Sequence, residues 1–443
     1  MGKPWRKVII SRREFLGGAL AGVGALAASC APTQPAGPQA PAVQGRPTEL
    51  HVLRWSSFVA EMDKLIDTQM QEWGKKNNVN VKVEHINAND IPARLAAAVQ
   101  AKAGPDIVQF WDGWPWIYED SLVDVSKEVE ELIKKLNGVY QDFEAYCKVN
   151  GVWRAFPYSY TSNTFIYRTD YFKEAGVAVP KTWDEFIEAG KKLKAYGKPI
   201  GQALGHSFGD PPTFWYPWLW AWGGKEVLED GKTVAIESDA TLLAVEKAVE
   251  LFDTGLIEGV LSWDDSSNNR AYLAEQISCT LNGASIYFVA KRDYPKLAEV
   301  SDHFVHPRGP AGTFSYQLDW SVGIMAYSKN IQAAKDLIVH ILQPEQYSAW
   351  LQSGRGYETG PYRYYDNDPV WRTDPKILPF RDVVTNGTAR WPGWPGPPTA
   401  KATQVRNNYI IVDLFAKACS REFKPREAVK WAAGQLQQIY GRS

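Results

Sequence analysis

Two short stretches of this 443-residue chain set a flat ring beside small polar groups: Trp55-Ser56-Ser57, and Trp111-Asp112 with Trp114 close by. Such groupings suit non-covalent recognition. The ring offers an apolar face, and the neighbouring hydroxyl or carboxylate fixes orientation through hydrogen bonds. Signatures of covalent chemistry are missing: the sequence has no Gly-x-Ser-x-Gly elbow, His-Glu-x-x-His, phosphate-cradling glycine loop or cysteine–histidine constellation. Cys147, Cys279 and Cys419 are too widely spaced for a zinc pattern and read as buried small apolar residues with at most one disulfide. No metal or cofactor is expected. A hydrolase working with two carboxylates stays open as the weaker alternative, because 50 Asp and Glu residues supply candidates anywhere along the chain.

The two stretches gain meaning from the elements that carry them. Glu49–Trp55 alternates like a strand, and Leu65, Ile66, Met70 and Trp73 recur at helical spacing up to Gly74. Val79–Glu84 alternates again. Ile91–Ala103 is a helix former closed by Gly104-Pro105, and Asp106–Trp111 reads as a buried strand. Strand, helix, strand, helix, strand implies a parallel sheet with right-handed crossovers. Ligands of such sheets sit beyond the carboxyl ends of the strands. Trp55, Ser56, Trp111 and Asp112 fall at those ends.

Totals bound the rest. The length exceeds what one core usually serves, so two domains are expected. The formal charge is −1, with no excess of cations to neutralise phosphates, which argues against a nucleic-acid partner. The composition includes 19 Trp, 21 Tyr and 17 Phe. Many of these Trp lie beside Gly or Pro, which points toward a surface or cleft for part of them. Trp220 and Trp222 are expected to pack against a sheet. Trp391 and Trp394 are read as a cleft rim or a stiffened loop, and Asp264-Asp265 as a solvated turn.

The amino terminus reads as an address. Arg12 and Arg13 precede Phe15-Leu16, and the stretch from Gly17 to Ser29 is small, apolar and uncharged. This is similar to a twin-arginine export signal. It is too short and too rich in Gly and Ala to be a convincing spanning helix. Leu26-Ala27-Ala28-Ser29-Cys30 resembles a bacterial lipobox, in which Cys30 becomes the lipidated first residue. Residues 31–47 are rich in Pro, Ala, Gln and Gly and read as a tether.

Further along, the sequence carries Gly104-Pro105-Asp106-Ile107-Val108, Phe156-Pro157-Tyr158, Asp170-Tyr171-Phe172-Lys173-Glu174-Ala175-Gly176 and Pro180-Lys181-Thr182-Trp183-Asp184-Glu185. Leu281-Asn282-Gly283 and Ile324–Asn330, followed by Ala333–Ile338, complete the series. In this order the chain resembles family 1 of the bacterial extracellular solute-binding proteins, the maltose-binding-like components of ABC importers, over roughly residues 48–440. The resemblance implies a periplasmic-binding-protein-like α/β fold: two discontinuous lobes, a hinge and an interlobe ligand cleft. The implied organisation is 1–29 export signal, 30–47 tether, 48–157 plus 310–362 first lobe, and 158–309 plus 363–443 second lobe. Crossings fall near Pro157–Tyr160, His306–Pro310 and Pro361–Tyr365.

A carbohydrate is the implied ligand, because rings can cover its C–H faces while polar groups bond its hydroxyl rim. The expected contacts are Trp55, Ser56, Trp111 and Asp112 at strand ends, Tyr158 and Asn163 at the crossover, and Phe214 and Trp215 at a helix start. Asn282 and Ser285 begin another helix with free backbone N–H groups. Asp319 and Trp320 precede a late strand, and Arg355 and Tyr357 lie in a glycine-flanked loop. The implied protein is not an enzyme. It is an exported, membrane-anchored lipoprotein and a monomer, partnered by the importer's membrane subunits. The same fold with a polyamine, phosphate ester or peptide as ligand is the other open reading.

Overall fold

The computed structural model describes residues 48–441; the export motif Arg12-Arg13, Cys30 and the tether lie outside the described residues. The early chain folds as the periodicities imply. Strands Thr48–Trp55, Val79–Ile86 and Ile107–Trp111 form a parallel core in which Thr48–Trp55 lies between the other two. The helix Ala60–Asn77 ends on Asn78 in the left-handed conformation, and Ile91–Ala101 ends likewise on Lys102.

Three more strands widen this layer antiparallel to give six, in the order Glu358–Thr359, Phe156–Thr161, Leu318–Ile324, Ile107–Trp111, Thr48–Trp55, Val79–Ile86. A second sheet has three antiparallel strands, with Thr164–Arg168 between Cys279–Asn282 and Ser301–Phe304. Among the described residues there are two apolar cores, and the small sheet contributes to both, Ile166 to the first and Phe165 to the second. The first gathers Leu53, Val108, Phe110, Trp320 and Leu337; the second gathers Phe165, Trp183, Trp218, Phe415 and Leu436. The architecture is α/β and two-lobed. Among the described residues no helix is long and apolar enough to cross a membrane.

Local structure follows local sequence where a few neighbouring residues decide it. Thr182 caps helix Trp183–Ala195, and Glu185 returns the bond, closing the capping box. Positions set by distant partners moved. The strand containing Pro157 runs on to Thr161, because Thr161 pairs with both Leu318 and Glu358. Pro157 is accommodated at a bulge, where the register shifts between Trp320 and Ser321. The first crossing is therefore Ser162–Asn163 and not Pro157–Tyr160. The second comes later than His306–Pro310: Phe314 and Tyr316 still belong to the second core, and the chain passes at Gln317. Near the third expected crossing, Tyr365, Val370 and Trp371 bury in the first core, and Lys376 reaches the carbonyls of Ala298, Glu299 and Ser301 beside the small sheet.

Two crossings are tied together. The backbone N–H of Asn163 donates to Oε1 of Gln317 over 2.6 Å. The Ser162 hydroxyl donates to Thr359 Oγ1 over 2.8 Å.

Candidate functional site

The first sheet ends in a tryptophan cluster facing the second lobe. Trp320 lies across from Trp111 in the ladder and is stacked on Trp55, while Trp111 leans on Trp114. A bond chain fixes the central ring. Trp320 Nε1–H donates to Thr161 Oγ1 (2.8 Å), whose hydroxyl donates to Glu358 Oε1 (2.9 Å). Burial pushes the Glu358 carboxyl up to about 8.

Asp112 takes the left-handed conformation (φ 51°) where the strand turns into Gly113. A Cβ on Gly113 would lie 2.2 Å from Thr403 Oγ1 and 3.0 Å from Pro398 O, so a glycine is needed where these segments meet. Across this contact Arg406 Nε forms an ion pair with Asp112 Oδ2 at 2.9 Å and donates to the Tyr316 hydroxyl at 3.2 Å, which in turn donates to Asp112 Oδ2 at 2.5 Å. Both charged side chains are 2 % exposed. Burial pushes the Asp112 carboxyl up; the Arg406 guanidinium and the Tyr316 hydroxyl oppose that shift.

The facing wall comes from the second lobe. Asp265 accepts from the backbone N–H of Gly209 (3.1 Å) and of Asp210 (2.8 Å), at the start of helix Asp210–Ala221. Its own N–H donates to Ser207 Oγ. The loop so held presents Phe208 to the tryptophans. Trp55, Ser56, Phe58, Asn87 and Asn89 on one side, and Ser207, Phe208 and Asp264–Ser266 on the other, line a pocket of about 160 Å³.

Beside it, Asn282, Asn269 and Ser285 form a small polar network at the start of helix Ser285–Asp293. A Cβ on Gly283 would lie 3.2 Å from Thr161 Cγ2 and 3.3 Å from Tyr357 Cε2, so this network and Tyr357 border the same junction.

The sequence-derived candidates thus divide. Trp55, Ser56, Trp111, Asp112 and Trp320 converge, and Asn282, Ser285 and Tyr357 sit at the adjoining junction. Asn163 belongs to the crossing described above. The others lie elsewhere. Phe214 and Trp215 are core: helix Asp210–Ala221 is buried at every residue, so it has no cleft face, and Trp215 stacks on Phe415 while donating to Ala203 O. Tyr158 packs against Tyr347 and Trp350 and receives a bond from Arg54. Asp319 is buried near Asp142 and Asp112, and burial raises its carboxyl well above the usual range. Arg355 lines a separate cavity of about 270 Å³ with Phe288, Lys291 and Ile377, its guanidinium over the Phe288 ring.

Trp220 and Trp222 pack in the second core as expected, and Trp394 stiffens a loop against Trp220 and Phe314. Asp264 keeps an exposed turn, whereas Asp265 is the helix partner just described. Cys147, Cys279 and Cys419 are buried and free. Among the described residues no cluster of His, Cys, Asp or Glu could hold a metal ion. Sequence reading missed Phe208, Tyr316 and Arg406. The one available signal was Ser207-Phe208-Gly209, a ring beside a hydroxyl and a glycine, the pattern that marked Trp55.

Two sheet-cored halves with rings and amides gathered between them define a binding protein that encloses a small solute. The chain belongs to the bacterial extracellular solute-binding proteins, whose family profile matches residues 68–379. A Deinococcus radiodurans protein described as a probable ABC transporter-binding protein is 25 % identical over 390 residues, covering 84 % of this chain and 89 % of its own. An sn-glycerol-3-phosphate-binding periplasmic protein of Agrobacterium fabrum is 28 % identical over 155 residues, 32 % of this chain and 35 % of the relative. Among solved structures, a Thermotoga lettingae solute-binding protein with bound α-D-tagatose superposes with TM-score 0.77 at 18 % identity, covering 89 % of this chain and all (100 %) of the other. An Arthrobacter chlorophenolicus sugar transporter protein with laminaribiose superposes with TM-score 0.76 at 16 % identity, covering 89 % and 99 %.

Proposed function

We propose that this protein captures a neutral carbohydrate between its lobes and delivers it to the membrane subunits of an ABC importer. The observation that carries this is the pocket between Trp55, Phe58 and Phe208, rimmed by Ser56, Asn87, Asn89 and Ser207. Rings can cover the C–H faces of a sugar, and amides and hydroxyls can bond its rim.

Charged solutes fit this lining poorly. It contains no Lys, Arg or His, so a phosphate ester would be buried without a counter-charge. Its carboxylates are already engaged, Asp265 by Gly209 and Asp210 and Asp264 by Ser266 and Ser267, which disfavours a polyamine. The solved relatives with tagatose and laminaribiose bound support the same reading.

Closure is a hinge motion at Ser162–Asn163, Gln317 and the stretch near Thr373. Ligand favours the closed form through contacts that the open form lacks. The protein works as a monomer without catalysis. It is exported through its Arg12-Arg13 signal and held at the outer face of the membrane by lipid on Cys30.

Calorimetric titration of the protein with mono- and oligosaccharides, alongside glycerol 3-phosphate, spermidine and amino acids, tests the ligand class. Saturable heat from sugars alone is the expected result. Tight binding of glycerol 3-phosphate or spermidine with none of any sugar would refute it. Mass spectrometry of the membrane fraction, expected to show lipid on Cys30 and loss of residues 1–29, tests the anchor.

A further inference from the structure

The ring of Phe208 is packed into the tryptophan cluster, with centroids 5.3 Å from Trp111, 5.9 Å from Trp320 and 6.4 Å from Trp55. It is held there from both sides. Its carbonyl accepts from Arg406 Nη2, and the next residue, Gly209, donates to Asp265. Arg406 is itself fixed by Asp112, so the loop bearing Phe208 is fastened to the end of the strand that carries Trp111.

The same ring forms the inner wall of the pocket lined by Trp55, Ser56 and Asn89. At about 160 Å³ that pocket is well below the roughly 300–1,000 Å³ of clefts that enclose drug-sized ligands. Behind Phe208 lie Trp111 and Trp320, two rings that could stack on a second sugar unit if the wall were absent.

We infer that Phe208 sets the ligand's size: it occupies the ring-binding position inside the tryptophan cluster and restricts the cleft to a solute of a single sugar ring. This rests on the carbohydrate reading, and it makes the native ligand a monosaccharide or a polyol of similar size. Phe208→Ala joins the outer pocket to the space its ring vacates beside Trp111 and Trp320 and admits a disaccharide.

The test uses the full chain and two variants, Phe208→Ala and Phe208→Leu. Calorimetry gives the ratio of affinities for monosaccharides (glucose, galactose, xylose) and disaccharides (maltose, laminaribiose). Thermal unfolding with and without phenol gives a ligand-independent measure of the space vacated. We expect the parent to prefer monosaccharides at least tenfold, Phe208→Ala to lose that preference by tenfold or more, and Phe208→Leu to shift less in the same direction. Phenol should raise the unfolding temperature of Phe208→Ala and leave that of the parent unchanged. An unchanged size preference in both variants overturns the specificity role, whatever phenol does. Absence of any phenol effect on Phe208→Ala overturns the placement of the ring. If no sugar binds any of the three proteins while phenol still stabilises Phe208→Ala, the ring's placement stands and the carbohydrate reading, with the specificity built on it, falls.

Discussion

The indole of Trp320 lies flat against that of Trp55, with centroids 4.5 Å apart and planes 13° from parallel. Trp55 borders the pocket; Trp320 is wholly buried behind it. In the proposed site Trp55 is the ring that meets the solute, and Trp320 is the ring that holds Trp55 in place. Trp55→Ala should therefore weaken sugar binding by about tenfold to a hundredfold, about 1.4–2.8 kcal/mol, with a modest loss of stability. Trp320→Ala should weaken binding and also cost about 3–5 kcal/mol of folding stability, because it leaves a cavity. Paired calorimetry and urea unfolding separate the two. Equal affinities in the parent and both variants would contradict the assignment.

Thr161→Val removes the acceptor of the Trp320 indole N–H and the donor to Glu358 without a large change in volume. A buried polar group left unpaired costs about 1–3 kcal/mol. Urea unfolding should register that loss. Thr161→Ser, which restores the hydroxyl, should recover most of it.

Arg406→Met leaves Asp112 as a buried carboxylate without its cation. Breaking a buried pair in this way costs about 3–5 kcal/mol, whereas replacing both members costs much less. The double variant Asp112→Asn/Arg406→Met should thus be more stable than Arg406→Met alone. Strictly additive losses in a double-mutant cycle would show that the pair contributes nothing across the lobe contact.

Phe214→Ala and Trp215→Ala should each lower stability by about 3–5 kcal/mol and leave the affinity of the folded protein unchanged, because both rings pack in the second core. A selective loss of sugar affinity at full stability would return them to the cleft.

Acid should destabilise the fold through His306, which is buried with no hydrogen-bond partner on either ring nitrogen. Burial lowers it from 6.5 to about 3. The unfolded chain takes up a proton that the folded chain refuses, so stability is intact above pH 6.5 and falls as the pH drops toward about 3, at about 1.4 kcal/mol per unit. His303 is lowered to about 3 as well, with burial again the main cause. Glu358 has the opposite sign. Raised from 4.5 to about 8 by burial, it contributes fully below pH 4.5 and loses that contribution as the pH rises toward 8. His306→Leu should flatten the fall in stability from pH 6.5 toward about 3, and Glu358→Gln the loss between pH 4.5 and about 8. Limbs of unchanged slope would contradict these environments.

How much of this was legible in the sequence depended on how far each residue's partners lie along the chain. Thr182 and Glu185 are three residues apart, and their capping box could be read directly. The early strands and the placement of Trp55 and Trp111 at their ends followed from period and topology. The crossings could not be placed to the residue, because the end of the strand at Thr161 is set by Leu318 and Glu358 and not by its own sequence. Trp215 reads as a cleft-rim residue from its proline and aromatic neighbours, while the fold sets it on a helix buried at every residue. Arg406 meets Phe208 across 198 residues, and no local pattern announces that bond.

A crystal structure of the protein with its tightest-binding sugar tests the central claim most directly. The sugar should lie against Trp55, between Ser56, Asn87 and Asn89 on one side and Ser207 and Phe208 on the other. A sugar seated instead in the cavity of Phe288 and Arg355, or outside the junction of the two sheets, would contradict it.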